Sequence, residues 1–476
     1  MMQGLTRLRG SGTVTAINAA MRKPGFIILL ALWAALGGVF ALDLPVYAVL
    51  VLAAVYVCLL GEDLLPVLPM AILCYVIPSR DNNPGRNPDS IFYPENGGYI
   101  LFALGALFAV CLVFRLVTDR EMGFFRVKRK LLWGMVALGG AYLISGIGLD
   151  NYGDIAGRNL LFALIQFAAV FVMYYLFTGA VKWEKAPRNY LAWTGMCVGL
   201  VVLAELVENY ASGRLFVVQD GVTAINRYNM ATGWGMHNNI GGMLAMSIPF
   251  CFYLACKEKH GWIYNLLAIA LMLGVVMSFS RSSMLLGGLA FVIGAAILLL
   301  RYDKGRKNLL IYGIAAAALV ALAVIFREKI GELISKFLSD DLGNVSSRDK
   351  LIVNGFKQYL SEPIFGGSFY PQGEYVPWDY SDQAAFSAFF PPRWHNTLIQ
   401  MLASCGTVGI VAYGFHRFQT VKLLLTRRST EKTFIALYLL VLVGTCLLDC
   451  HFFNVGPTLF YSMAMAFAEK IELSKV

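Results

Sequence analysis

Charge is scarce in this sequence. Asp, Glu, Lys and Arg make up 14% of its 476 residues, against about 25% in soluble domains, and that deficit excludes a water-soluble fold. Intrinsic disorder is excluded too, because hydrophobic residues reach 58% and aromatics 13%, and disorder needs low hydrophobicity with high net charge. Metal-ligand spacings are also missing. No His/Cys/Asp/Glu cluster, Walker loop or Asp-x-Asp occurs, the outer-loop acids Asp340, Asp341, Asp349, Glu362, Glu374, Asp379 and Asp382 included, so neither a metal nor another cofactor is expected. Nine cysteines are present without a CxxC pair; eight lie in apolar runs and Cys450 comes near an aqueous edge. They read as small hydrophobes in helices. No internal repeat or low-complexity stretch stands out, which weighs against a repeat-built transporter.

What is present is apolar sequence, with a mean hydropathy of +0.64, and the chain reads as an all-α polytopic membrane protein. Runs long enough to cross hydrocarbon cover 25–41, 45–60, 64–78, 98–118, 131–147, 159–179, 190–207, 239–256, 262–280, 283–300, 308–326, 396–416, 433–449 and 452–469. That gives about 12 to 14 spans, because 45–78 reads either as two spans or as one broken hairpin. Lys plus Arg exceed Asp plus Glu by 39 − 29 = 10, and this excess is placed by topology. With a cytoplasmic N-terminus (Arg7, Arg9, Arg22, Lys23), every second connection is basic: 126–130, 182–188, 257–259, 301–307 and 422–432. The acidic turn 61–63 is the weak link in that alternation. Both termini are then cytoplasmic, nothing calls for nucleic acid, and the lipid bilayer is a partner. The first apolar run has no cleavage site and stays attached. Four regions result: a cytoplasmic segment 1–24, a transmembrane bundle 25–326, a large outward loop 327–395, and C-terminal helices with a short tail, 396–476.

Function is expected on the outward side. Connections 79–97, 209–238 and 327–395 are long, and the last is far longer than a joint between helices requires. Within it, Ser346 or Ser347 is placed to cap an amphipathic helix with Leu351, Ile352, Phe356, Tyr359 and Leu360 on one face, lying on the membrane or on the bundle and ended by Pro363. An aromatic-rich segment follows, fit to hold sugar rings or to pack as an interfacial belt. Arg281, between two apolar runs in Met277-Ser-Phe-Ser-Arg-Ser-Ser283, lies on the outer side against the positive-inside rule. It needs an anionic partner, and a guanidinium matches phosphate oxygens in bidentate geometry. Arg348, Arg227 and Arg393 are placed to share that duty. His395 stands before the polar span start Asn396-Thr-Leu-Ile-Gln400, where an imidazole can take the proton of an attacking hydroxyl near neutral pH. Within the spans, Arg115 reads as an arginine snorkelling to the cytoplasmic edge, and Glu205 as a polar helix contact.

These residues, in order, resemble the bacterial O-antigen ligase and O-antigen polymerase superfamily. The resemblance is carried by Ser278-Phe-Ser280-Arg281-Ser282-Ser283, by Ser347-Arg348 leading to Pro363-Ile-Phe-Gly366, and by His395-Asn396-Thr-Leu with Gly406 and Gly409. Asn238-Asn239 and Pro249 look like the family's upstream span. The similar part covers roughly 230–470. The resemblance implies a metal-independent, inverting membrane glycosyltransferase without cofactor, in the bacterial cytoplasmic membrane with its site facing the periplasm or cell exterior. Its donor would be a glycan on undecaprenyl diphosphate and its acceptor a glycan or glycolipid. It further implies Arg281 and Arg348 on the diphosphate, His395 as base, and Arg227, Arg393, Asn396, Asn239, Ser280 and Ser282 as substrate-binding residues. Ligase chemistry, with lipid A-core or an equivalent acceptor, is favoured; a polymerase using another lipid-linked repeat shares the same motifs. The rivals from other classes are a transporter of lipid-linked oligosaccharide, which would place its charges at the midplane, and a passive scaffold.

Overall fold

The computed structural model describes residues 7–74, 97–119, 124–150, 152–219, 222–232, 235–302, 305–325, 327, 342–370, 375 and 393–474. Helix α1 (Gly12–Met21) is capped by Ser11, whose side chain accepts from Val14 N, and meets α2 (Pro24–Phe40) at a bend of 73°. Pro24 opens α2, where a missing N–H removes no helical bond. After α3 (Asp43–Leu60), the described part of the run expected at 64–78 holds the seven-residue α4 (Val67–Leu73), and residues 75–78 lie outside the described residues. The intervening turn is bound by charge. Arg115 of α5 (Gly98–Thr118) donates to Gly61 O at 2.8 Å and Glu62 O at 3.0 Å and pairs with Asp119 at 3.0 Å. Asp63 accepts from Arg22 at 2.6 Å and from Lys182 N at 2.7 Å.

Two expectations change here. Arg115 does not snorkel: it is 1% exposed, because the open carbonyls at the end of α3 offer its fork of donors better partners than distant water does. The acidic turn shares a face with Arg22, Lys182 and Lys185, so it belongs with the basic connections, neutralised by them. Glu205 is buried against Gly38 of α2, a polar helix contact as read from the sequence.

The chain continues through α6 (Leu132–Leu143), α7 (Tyr152–Phe167), a π turn (Ala168–Val172) and α8 (Met173–Ala180). Ser462 Oγ donates to Val170 O at 3.0 Å, within the stretch where the wider turn loosens the helical ladder. Helix α9 (Tyr190–Ala211) leads to two antiparallel ladders, β1 (Phe216–Gln219) with β2 (Val222–Ile225) and β3 (Ala231–Thr232) with β4 (Gly235–Met236), which the all-helical expectation did not contain. Helix α10 (His237–Lys257) is the centre of the bundle, packed against α9, α11 (Gly261–Met277), α12 (Arg281–Arg301) and α16 (Thr430–Thr445). Helices α13 (Gly305–Ile325), α14 (Leu342–Ser361), α15 (Thr397–Leu425) and α17 (Val455–Lys470) complete it.

Among the described residues seven helices are long and apolar enough to cross a membrane, or eight if the bent pair α1–α2 is one span. This is fewer than the 12 to 14 apolar runs. The difference lies in short elements such as α6 and α11, and in α16 and α17, with 16 residues each. Every residue of α17 from Gly456 to Lys470 is buried, so its apolarity answers to protein neighbours rather than to lipid. Cys450, expected near water, is fully buried.

Helix α14 begins at Leu342, before Ser346 and Ser347, so neither serine is its cap. Beyond it the chain crosses α15 at a kink. Gly406 has φ 62°, Gly366 has φ 71°, Thr407 N donates to Pro363 O at 2.8 Å and Gly367 N to Ala403 O at 2.8 Å. A Cβ on Gly366 would lie 2.5 Å from Cys405 N. Both glycines are therefore required by backbone contact as well as by conformation. The segment then enters the bundle, where Phe369 N donates to Ser145 Oγ, Tyr370 N donates to Asn159 Oδ1, and the Phe369 ring stacks on Phe453.

Candidate active site

Several of the sequence-predicted residues gather at one end of α10. Its first turns carry Gly241 and Gly242, and each faces a different segment. A Cβ on Gly241 would lie 2.5 Å from Ser278 Oγ, 2.7 Å from Ser280 Cβ and 3.0 Å from Ser283 Cβ; one on Gly242 would lie 3.1 Å from His451 Nε2. Two adjacent residues without side chains thus let the serine-rich turn of Arg281 and the segment of His451 close on the same helix end.

The Arg281 turn is built by its serines. Phe279 has φ 56°, which reverses the chain between α11 and α12 in three residues. Ser278 Oγ donates to Val275 O at 2.6 Å and accepts from Ser280 N at 3.3 Å, while Ser280 and Ser283 hydroxyls share a bond of 2.8 Å and Ser280 and Ser282 one of 3.4 Å. Ser278, Ser280 and Ser283 are fully buried, whereas Arg281 is half-buried as the first residue of α12. Tyr210 donates to Met277 O at 2.6 Å and ties α9 to the same turn.

The His395 segment is held by the connection 446–454. Asn396 caps α15, accepting from Leu398 N and Ile399 N at 2.9 and 3.1 Å, and its amide donates to Leu447 O at 2.7 Å. Thr397 donates through N to Cys446 O and through Oγ1 to Asp449 O, Arg393 donates to Cys450 O at 3.3 Å, and Gln400 accepts from Trp394 N at 2.9 Å. These bonds leave His395 at φ 51° with Nδ1 3.7 Å from Asp449 Oδ1.

Asp449 was not singled out from the sequence. Burial alone would raise its carboxyl, but the contact with His395, the charges of His451 and His395 and the Cys450 N–H, 2.7 Å away, together hold it well below the usual carboxylate range. His451 is pushed down, first by burial, with Arg393 and His395 adding to that and Asp449 opposing it. A buried carboxylate therefore faces a His395 side chain that is 29% exposed. Such a pair fixes one imidazole nitrogen toward the acid and leaves the other for a proton from outside.

The remaining residues divide. Asn239 accepts from Asn454 at 3.4 Å, linking α10 to the 446–454 connection, and Arg227 lies half-buried on the 3-10 turn Arg227–Asn229 that leads toward α10. Position 348 is on α14, one turn before Leu351, which packs with Trp394, Ile399 and Ala403; the Arg348 side chain lies outside the described residues. The aromatics between Val376 and Phe390 lie outside them as well. Among the described residues no group of three or more His, Cys, Asp and Glu side chains is placed to hold a metal ion.

A second charge anomaly sits beneath this site. Arg417 of α15 lies over the Phe452 ring at 3.8 Å, with Tyr413 at 4.7 Å and Tyr461 at 5.3 Å, and its guanidinium is buried among these rings. It grips the residue after His451 by cation–π contact. Its neighbour His416 is buried, with Nε2 2.7 Å from the Tyr461 hydroxyl.

Residues 266–414 match the family model described as O-Antigen ligase, an interval that takes in Arg281, Arg348, Arg393, His395, Asn396 and the Gly366–Gly406 crossing, and leaves out Arg227, Asn239, Asp449 and His451. No curated protein matches the chain.

Proposed function

With an O-antigen ligase domain at residues 266–414, in the O-antigen ligase and polymerase superfamily, we propose that the protein is a membrane glycosyltransferase that moves a glycan from undecaprenyl diphosphate to a hydroxyl of a cell-surface acceptor. The observation that carries the reading is the closure of two segments on Gly241-Gly242: the Arg281 turn on one side, and on the other the 446–454 connection, which presents Asp449 to His395.

The chemistry assigns each group one task. The acceptor hydroxyl attacks the anomeric carbon of the donor sugar. The new C–O bond forms as the bond from that carbon to the diphosphate oxygen breaks, with inversion. The hydroxyl proton passes to Nε2 of His395, the nitrogen turned away from Asp449, and the carboxylate stabilises the imidazolium that results. Arg281 and Arg348 pair the charge left on the diphosphate, so departure needs no metal. Arg227 and Arg393, with Asn239, Asn396 and Ser282, line the approach, while Ser280, expected to bind substrate, is buried and instead holds the Arg281 turn from within. This geometry belongs on the non-basic face, the periplasmic or outer face of the cytoplasmic membrane by the positive-inside rule.

Ligase and polymerase activities differ in acceptor, and one experiment separates them. Surface glycan and lipid-linked intermediates are profiled in cells lacking the chain, complemented with wild type or His395→Ala. Long polymer held on undecaprenyl diphosphate with loss of surface attachment identifies a ligase; single repeat units without a length ladder identify a polymerase. An unchanged profile in the cells lacking the chain refutes both.

A further inference from the structure

Helix α14 has two apolar faces, and the bundle uses one. Leu351 and Gly355 pack on Trp394 and Ile399, and Gln358 is buried beside Gly367. On the opposite side Val353 is 51% exposed, Phe356 45% and Leu360 71%, followed just past the helix by Ile364 at 61%. At about 100° per residue, Val353, Phe356 and Leu360 fall within a sector roughly 60° wide, with Lys357 and Lys350 along one edge. Both lysines are exposed, and Lys357 Nζ stands 5.9 Å from the Tyr375 ring.

This row has a continuation that says what covers it. Val408 N donates to Ile364 O at 3.2 Å, and Tyr359 and Thr407 share a hydroxyl bond of 3.1 Å, so the end of α14 is seated on the outer flank of α15. From there α15, one of the seven candidate spans, turns Val411, Phe415 and Phe418 outward at 64%, 42% and 66% exposure. An open apolar groove of about 530 Å³ runs between this flank and α6, lined by Gly140, Ile144, Thr407 and Val411 among others. The exposed row of α14 is thus the upper end of a surface that, further down, faces hydrocarbon.

We infer that α14 is a membrane-seated helix lying in the plane of the bilayer surface. Val353, Phe356, Leu360 and Ile364 enter the acyl region of the leaflet on the site's face. Lys350 and Lys357 extend along its edge to the lipid phosphates, as long cationic side chains do at such boundaries. The occupant is the lipid surface itself; the apolar row leads onto the lipid-facing flank of α15 beside the Tyr359–Thr407 hydroxyl pair, Asp349 ends the row on its N-terminal side at headgroup level, and the two lysines along the edge are complementary to anionic headgroups. The seating sets the height of position 348 at the level of headgroup phosphates. The value of that height to a lipid-linked diphosphate rests on the transferase reading; the seating does not.

Site-directed spin labelling of the full chain in phosphatidylethanolamine and phosphatidylglycerol proteoliposomes tests it. Single cysteines at Val353, Phe356, Lys357 and Leu360 replace exposed residues and carry the nitroxide. Labelled wild type supplies the blank, since eight native cysteines are buried and Cys74 is partly so. Collisions with oxygen are expected to exceed those with the aqueous nickel reagent at 353, 356 and 360, with the ratio falling at 357. Greater access of the nickel reagent at 356 and 360 would place the row in water and overturn the inference. Low access of both reagents there would mean a protein surface covers the row, and would overturn it too. The readout needs no catalysis, so its failure and that of the proposed activity are separately visible.

Discussion

Asp449→Asn isolates the charge behind His395 while keeping a side chain of the same shape. The amide oxygen of the variant can still accept from Cys450 N, so the 446–454 connection keeps its bonds. Two unit charges 3.7 Å apart interact by about 4.5 kcal/mol at an effective dielectric near 20. His395 is 29% exposed, and solvent screening removes about half of that, leaving roughly 2 kcal/mol of stabilisation for the imidazolium that forms as the acceptor loses its proton. At about 1.4 kcal/mol per decade, this is a roughly 30-fold slower transfer step. Loss of ring orientation adds to it, within the roughly 10²- to 10⁴-fold that a general base supplies. The assay is initial rate with purified full chain in proteoliposomes, at saturating donor, using lipid-linked glycan extracted from cells that lack the protein. A thermal-shift measurement on the same sample reports the fold. A variant that melts like wild type and retains more than a third of the rate refutes the pairing as a catalytic device.

Four further outcomes follow from the same geometry. His395→Ala abolishes transfer at normal protein level and membrane insertion, and Arg281→Lys is severely impaired because an ammonium cannot reproduce the planar fork; glycan blots beside immunoblots decide both, and full activity in His395→Ala would sink the base assignment. Gly406→Ala forces a β-carbon onto Ile364 O at a positive φ, at a cost of about 1 to 3 kcal/mol or more, read as a lower melting temperature in detergent; an unchanged transition would contradict the crossing. Acid weakens the fold through the 449–451 turn. His451 resists protonation when buried, so below about pH 6.5 only the unfolded chain takes that proton and stability falls. The depressed carboxyl of Asp449 acts in the same sense: its contribution is present above about pH 3.9 and is lost as pH falls toward its folded value. A melting temperature flat from pH 7 to pH 4 would argue against the His451 contribution, and one flat from about pH 4 to pH 2 against that of Asp449.

Much of the architecture is legible in apolar runs and charge alternation, and the exceptions have a common physical source. Thirteen of the fourteen runs coincide with a helix of at least twelve residues; the described part of 64–78 holds only the seven-residue α4, because the turn at 61–66 is closed by Arg22 and Arg115, partners distant in sequence. Apolarity also fails to distinguish lipid from protein as the neighbour. Helix α17 and α10, buried along almost their whole lengths, read like α5, whose best window is only 11% buried. The same blindness affects α14: Leu351, Phe356 and Leu360 appear as one apolar face, yet Leu351 is buried at 3% and Leu360 exposed at 71%. A face wide enough to bind both bundle and bilayer has no edge that periodicity can locate.

Site residues were legible where a local anomaly marked them. Arg281 violates charge placement, and His395 is an imidazole before a polar span start; both are visible within a few positions. Asp449 has no such mark. It ends an apolar run, where an acid reads as a helix boundary, and its partner lies 54 positions earlier, brought close only because Asn396 and Thr397 bond to Leu447, Cys446 and Asp449 backbone carbonyls. One signal was available: Asp449-Cys450-His451 puts two titratable groups within a turn at the edge of a span, where each costs desolvation and so requires a partner. That cost makes His395, an outer-face histidine just ahead of a span, a candidate partner for the acid. Arg417 shows the limit of the approach from the other side. Three residues beyond Gly414 and adjacent to the basic connection it reads as an edge charge, yet it lies over Phe452. Its cost is met by aromatic faces contributed by two other segments, a compensation that no local pattern encodes.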